Sequence, residues 1–450
     1  MEQTGFIACV DFGTSNITGL LGRRNEQDVI SIIASESISS DSCVKHGIVY
    51  NIDEAAGKFK RLVSLLENKV GKKIGRVYVS IAGMSLKAIE HIQTQTLIME
   101  TPVTFVMLDQ MEQQARLNRL SLLTNYSVVA PEIFLNSKLE EDPIGKPATT
   151  IEARYRLIAG RPNIKANLKR TITDKNNIDI AGYVVGPVAT GAILLDEEEK
   201  KQGCALVDFG GGTTTVSVYK NGLLRYMTVI PFGGRTITRD LQSLGLPFDT
   251  AESCKIRYGK VGKEKVKAEN KSFADASVDM KELNKVIQLR QEEIVLNVLN
   301  QIKESGYAEE LEAGIIITGG ASQMRGMIDY LAEKSRMPVK NGSIKRLYIN
   351  NAIDLLQNPS YTQCLGLMLY AKENCEKVEI PKPETRPEPQ PQVQPVVDNT
   401  DRQKETTRTQ PQPEVRTDRT KESGRKNYND KNSPEQKSSF DFLQKVGGTL

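Results

Sequence analysis

The sequence predicts an α/β protein of two similar lobes closing on a cleft, with a small α+β unit inserted in the first lobe and a disordered C-terminal tail. Three observations carry that reading. The tetrapeptide Val-Asp-Phe-Gly ends an apolar strand twice, at 10–13 in "IACVDFGTSNITGLL" and at 207–210 in "VDFGGGTTTVSV". A third apolar strand, in "GIIITGGAS", ends at Gly319-Gly320 and leads into a helix. Beyond residue 377 the chain turns to Pro, Gln, Glu, Arg and Thr with hardly an aromatic, too little apolar surface to offset the entropy of ordering.

Taken in order, the first corner opens a run of strands that reaches "KIGRVYVSIAG" (73–83), interrupted by the helix "DEAAGKFKRLVSLLENKVG". In that helix Phe59, Leu62, Val63, Leu65 and Leu66 recur on a 3.6-residue period. Residues 1–85 and 161–205 are therefore assigned to the core of the first lobe. Residues 86–160 form the inserted unit, with a helix "LDQMEQQARLNRLSLL" and strands "NYSVVAPEIFL" and "TTIEARYRLIAG" separated by the turn "EDPIGK". Residues 206–241 and 313–377 are assigned to the core of the second lobe, and the charged stretch 242–312 to a small helical subdomain. The linker is 378–436, and 437–450 recover apolar character.

Composition narrows the function. The chain has 450 residues, 39% apolar and 26% charged, and a net charge of +4, too small to argue for nucleic acid. The six cysteines are dispersed without metal-ligand spacing, and Cys9 and Cys204 sit in apolar runs as core residues do. The only two histidines, His46 and His91, read as surface or turn residues, which leaves no basis for Ser-His-Asp hydrolysis or histidine-based zinc chemistry. The start "MEQTGFIACVDFG" lacks the basic and apolar regions of a signal peptide, so a cytoplasmic chain is expected. No Walker-type G-x-x-x-x-G-K-[ST] and no G-x-G-x-x-G after a strand occurs.

The repeated corner has a chemical rationale. A strand delivers an aspartate to its end, and glycine lets the backbone turn so that successive N–H groups and hydroxyls converge on one concavity suited to phosphate. Residues Asp11, Gly13, Thr14, Ser15 and Asn16 form one such cradle, and Asp208, Gly210, Gly211, Gly212, Thr213 and Thr214 the other. A carboxylate beside a phosphate requires a cation between them, so Asp11 and Asp208 imply Mg²⁺ held mostly through waters. Two facing cradles would clamp a polyphosphate and its metal, as in ATP. Gly319, Gly320 and Ala321 would let the backbone approach a ring or ribose, and Glu252 and Lys255, on one helical turn, would reach the nucleoside from the other side.

At these residues the chain resembles the ATPase superfamily of actin, the heat-shock chaperones and the sugar kinases. "VDFGTSN" and "VDFGGGTTT" look like its two phosphate motifs and "IIITGGAS" like its adenosine motif. Further stretches are similar to the bacterial cell-division FtsA family: "HGIVYNIDEA", "VYVSIAG", the insert at 128–160 with its "DPIG" turn, and "PFGGRTITRDL" (231–241), whose Gly233 and Gly234 join the expected site. The resemblance covers most of residues 1–375. It implies an actin-like two-lobed fold and ATP between the lobes. It also implies head-to-tail polymerisation at the cytoplasmic face of the cell membrane, and tethering of the tubulin-like protein FtsZ through its C-terminal peptide on the subdomain at about 242–310. Other division proteins are further candidate partners.

Three departures stand out: Asn16 replaces the family's usual lysine, Ala192 aligns with a common glutamate, and Thr215 stands where relatives often place Asp. If the missing carboxylate orients the attacking water, tight ATP binding with slow or negligible turnover follows. An actin-like pilus-assembly ATPase is the alternative, though the "DPIG" insert favours the division family. A small-molecule kinase is weaker still, since no catalytic aspartate is recognised in a substrate-facing insert.

The end of the chain, "SSFDFLQKVGGTL", places Phe440, Leu443, Val446 and Leu450 near one helical face, and the resemblance implies an amphipathic membrane anchor there. The roughly sixty residues before it span on the order of 40–45 Å as a flexible coil. Deleting residues 436–450 is expected to release the protein from lipid vesicles in a co-sedimentation assay; unchanged binding would remove the anchor.

Overall fold

The computed structural model describes residues 5–263, 270–273, 276–345 and 348–377. The linker and the anchor residues Phe440, Leu443, Val446 and Leu450 lie outside the described residues.

Two sheets follow one plan. In the first, the strands run in the spatial order Asp179–Val185, Arg76–Ile81, Ile7–Phe12, Asn16–Arg24, Ile30–Ser39 and Ile349–Asn350; in the second, Leu223–Ile230, Thr214–Lys220, Cys204–Phe209, Ile315–Thr318 and Val339–Asn341. Each leading strand pairs antiparallel with its hairpin partner on one side and parallel with a third strand on the other. The register is shared as well, Asp11 facing Thr18 and Asp208 facing Thr215. Ile7–Phe12 is buried throughout, which accounts for a continuous apolar run rather than an alternating one.

The helix Ile52–Val70 packs on the first sheet through Phe59, Leu62, Val63 and Leu66. Asn51 caps it by accepting from the Glu54 N–H, and Gly71, at φ 68°, ends it with its own N–H on the Glu67 carbonyl. Gly19 opens room for this contact, since a Cβ there would stand 2.8 Å from Leu66 Cδ1.

One assignment is corrected. Residues 349–377 were placed in the second lobe, but Ile349 pairs with Ile30 and the helix Thr362–Tyr370 packs Cys364, Leu365, Leu367 and Met368 into the first core. The helices Gly186–Leu194 and Thr362–Tyr370 cross closely, because neither Ala189 nor Gly366 carries more than a methyl at the contact.

The insert is a four-stranded sheet, Lys87–Pro102, Pro147–Gly160, Thr124–Leu135 and Lys138–Glu140, with one helix and its own core around Tyr155, Ile151 and Met111. Its 16-residue first strand was not anticipated. The helix covers Phe105–Leu117, starting earlier than the sequence suggested because Thr104 caps it by accepting from the Met107 N–H. It ends earlier too, at Leu117, because Asn118 at ψ 122° leaves the helical backbone. Across to the second lobe, buried Arg225 pairs with Glu132 of the insert, and Arg156 Nε donates to the Arg225 carbonyl at 2.9 Å. All six cysteines are buried and unpaired. Among the described residues no helix is long and apolar enough to cross a membrane.

A Cβ on Gly366 would come 2.4 Å from the Ala189 carbonyl, whereas one on Gly57 would meet nothing within 4 Å. Gly366→Val is therefore expected to cost about 1–3 kcal/mol in urea unfolding by overpacking. Gly57→Ala, in a helix interior, should stabilise by about 0.5–1 kcal/mol.

Candidate functional site

The two corners are the same hairpin built twice. In the first the Gly13 N–H donates to the Asn16 carbonyl at 2.9 Å, and in the second the Gly210 N–H donates to the Thr213 carbonyl at 2.9 Å. The turn N–H groups of Thr14, Ser15, Gly211 and Gly212 find no acceptor among the described residues.

The hairpins meet tip to tip. A Cβ on Gly211 would lie 2.2 Å from Ser15 Oγ, and one on Gly212 would lie 2.6 Å from Thr14 Cγ2. Contacts from both lobes hold this approach. Arg235 Nη1 donates to the Thr14 carbonyl at 2.9 Å and pairs with Asp41. The His46 ring bonds the Gly212 carbonyl through Nδ1 at 2.8 Å, and the Gly47 N–H donates to Thr14 Oγ1 at 3.0 Å.

Between the hairpins lies a cavity of about 480 Å³, within the range of small-molecule sites. Asp11, Gly13, Thr14, Ser15, Asn16, Asp208, Gly210, Gly211, Thr213, Gly234, Glu252, Lys255, Gly320 and Ala321 all line it, so most of the expected site residues converge. Four do not line it. Gly212 faces a smaller neighbouring cavity, and Thr214 is buried with its hydroxyl donating to the Phe232 carbonyl. Gly233 lies under the second hairpin, where a Cβ would meet the Gly210 carbonyl at 2.5 Å. Gly319, at φ 88°, lies behind Asp208, where a Cβ would meet Oδ1 at 2.2 Å. These glycines shape the cradle from behind rather than contact its contents.

Electrostatics focus on the two aspartates. Asp11 is buried, and its Oδ1 accepts from Ser80 Oγ and from Gln363 Nε2 at 2.5 Å. Burial raises its pKa against those two hydrogen bonds. Burial, with the nearby Asp11 charge, pushes Asp208 from the ordinary 3.8 up to about 6. Two carboxylates whose proton affinity is raised, with no cationic side chain beside them among the described residues, are the donor set a divalent ion relieves, so the residues fit Mg²⁺.

Lys255 is placed differently from expectation. Its Nζ donates to the Gly234 carbonyl at 2.9 Å, Thr238 Oγ1 at 2.8 Å and Glu252 Oε2 at 2.7 Å. All three ammonium protons are thereby used to brace the helix Gly234–Leu241 against Phe248–Tyr258, although both Lys255 and Glu252 still border the cavity. Burial lowers the Lys255 pKa, opposed by Glu252. Ala192 does not line the cavity, whereas Thr215 does.

Residues the sequence did not single out complete the site. Arg235 and Gly47 lie inside motifs read only as family stretches, and Ser80 inside "VYVSIAG". Gln363 gives no local signal, being 352 residues from its Asp11 partner.

Twin sheets of one register, each presenting an aspartate and a glycine hairpin to a shared cavity, define an actin-like two-lobed α/β protein. Among solved structures, a chain of the PilM-PilN type IV pilus biogenesis complex is similar in fold, with TM-score 0.60 over 81% of this chain and 98% of that chain at 16% identity. The family model "Cell division protein FtsA" matches residues 205–366. Cell division protein FtsA of Neisseria meningitidis serogroup B is 30% identical over 378 residues, covering 82% of this chain and 90% of that protein. That of Porphyromonas gingivalis is 29% identical over 384 residues, covering 82% and 78%. The chain belongs to the FtsA family of cell-division proteins.

Because folded Asp208 keeps its proton up to about pH 6 and the unfolded chain loses it near 3.8, the folded state binds more protons in that window. Stability without ligand should therefore fall as pH rises from about 4 to 7. Asp208→Asn is expected to raise the Tm at pH 7.5 by ~2–4 °C and to flatten this dependence, measured by calorimetry without Mg²⁺ or nucleotide.

Proposed function

We propose that the chain binds ATP with Mg²⁺ in this cleft, polymerises head to tail on the cytoplasmic face of the cell membrane, and tethers FtsZ there. The observation that carries the nucleotide reading is the pair of matching hairpins facing one cavity, with unengaged turn N–H groups beside a carboxylate that is buried in Asp11 and half-buried in Asp208. The N–H groups of Thr14, Ser15 and Gly211, all in the lining, would orient phosphate oxygens from both sides. Asp11 and Asp208 would hold Mg²⁺, which supplies the positive charge that lets carboxylates and phosphates share the site. Ser80 and Gln363 fix the direction in which Asp11 points. Gly320 and Ala321 leave room for the nucleoside, with Glu252 on the opposite wall.

Slow turnover follows from the lining. Among the described residues its only carboxylates are Asp11, Asp208 and Glu252. Asp11 and Asp208 are committed to the cation, and Glu252 is engaged by Thr238 and Lys255, which leaves no free general base. Family membership supports the division role: FtsZ's C-terminal peptide on the subdomain at about 242–310, head-to-tail self-assembly, and 437–450 on the membrane. Pilus assembly finds support only in likeness of fold.

Asp11→Asn is expected to weaken Mg²⁺-dependent ATP affinity roughly 10–100-fold, the loss of one charge-assisted contact, in equilibrium titration. The same variant should fail to form ATP-dependent polymers on lipid monolayers and to recruit FtsZ C-terminal peptide to them. An unchanged affinity in Asp11→Asn, or an absence of ATP binding by the unmodified chain, would overturn the reading.

A further inference from the structure

Behind the hairpin tips lies a second cavity, of about 190 Å³, lined by Thr14, Lys45, His46, Gly212, Arg235 and Arg239 among others. Thr14 and Arg235 line both cavities, so the tips are the wall between them. The smaller one gathers three cationic side chains and an imidazole. Arg235 is fixed: it pairs with Asp41, donates to the Thr14 carbonyl and lies 5.1 Å over the Phe248 ring. Lys45 and Arg239 are exposed, and neither has an ion-pair partner among the described residues. The hydroxyls of Thr236 and Tyr50 add uncharged donors to the lining, whereas that of Ser42 is already donated to Glu54.

The loop that forms one wall is held under strain. Ser42 at φ 69° and His46 at φ 50° adopt the left-handed region without being glycine. The ring of His46 is fixed by the Gly212 carbonyl, and Gly47 by Thr14 Oγ1. The wall is therefore built against the hairpins rather than draped over them. Acidic groups stay outside the lining: Asp41 is taken by Arg235, and Glu54 by Ser42, Lys58 and Asn51.

We infer that this rear pocket binds orthophosphate, on the far side of the hairpin tips from the main cavity. The chemistry is that of a small tetrahedral oxyanion: point charge from Lys45, forked donors from Arg235 and Arg239, and hydroxyls between them. Its placement relative to a nucleotide rests on the function proposed above; the anion site itself does not. Two sources fit the same chemistry, phosphate from solution and phosphate shed by a nucleotide in the cleft.

The test uses the full chain and inorganic phosphate titrated by calorimetry, with the main cavity empty and again filled with a non-hydrolysable ATP analogue and Mg²⁺. Binding is expected in both conditions, weakened at least ~10-fold in the double variant Lys45→Gln/Arg239→Gln, whose analogue affinity and Tm should match the parent. Phosphate that binds only when the main cavity is empty, or with equal affinity to the double variant, would overturn the proposal. A chain that takes up phosphate but no analogue would instead sink the nucleotide reading and leave the pocket standing. With ATP bound, a lag before phosphate reaches a fluorescent sensor, shortened in the double variant, marks phosphate arriving from the cleft. Release without a lag in both proteins marks a pocket filled from solution.

Discussion

Asp11 and Asp208 bordering one cavity are the constraint on which the rest of this molecule depends. Among the described residues neither acid has a basic partner to offset its burial, and the Asp11 charge makes Asp208 harder still to ionise. Such an arrangement is intrinsically unfavourable in the free protein, and the surroundings maintain it by geometry. Gly319 leaves the space that the Asp208 carboxylate occupies, and Gln363, from a helix late in the chain, fixes Asp11. The strain is local to the place where a charged ligand would relieve it, which is how functional sites commonly differ from the surrounding core.

Closure of the lobes is carried by backbone as much as by side chains. The Gly233–Arg235 turn docks on the second hairpin through the Gly234 and Arg235 N–H groups, donating to the Gly210 and Gly211 carbonyls at 3.0 and 2.8 Å. The side chain of Arg235 then reaches across to the first hairpin. A single turn thus senses both cradles. Because it starts the helix braced by Lys255, the turn also connects the hairpins to the segment Phe248–Tyr258.

Much of this was legible because it is local. An apolar run ending in Asp-Phe-Gly specifies a buried strand and a tight turn, and its repetition in both halves pointed to two similar lobes, which the structure builds with one register. The same locality set the limits. Gly212, Thr214, Gly233 and Gly319 sit in the right motifs but support the cradle from behind, a distinction of fractions of a turn that spacing does not encode. Lys255 read as a nucleoside contact because a buried ammonium surrounded by its own protein leaves no mark on a helical pattern. Gln363 and the return of residues 349–377 to the first lobe depend on contacts hundreds of residues apart. The first strand of the insert was missed although its burial partly alternates, since "HIQTQTLIME" mixes polar and apolar side chains on an edge of the sheet.

The insert belongs to one lobe by covalent connection and touches the other by charge. It leaves and re-enters the first lobe through its two ends, while Glu132 holds Arg225, a buried cation on the strand Leu223–Ile230. Parting the pair strips a buried guanidinium of its carboxylate, which is costly even though Glu132 itself is partly exposed. The insert is consequently a strut between the lobes: a rotation that spread them would have to drag it, bend its two connections, or break that pair.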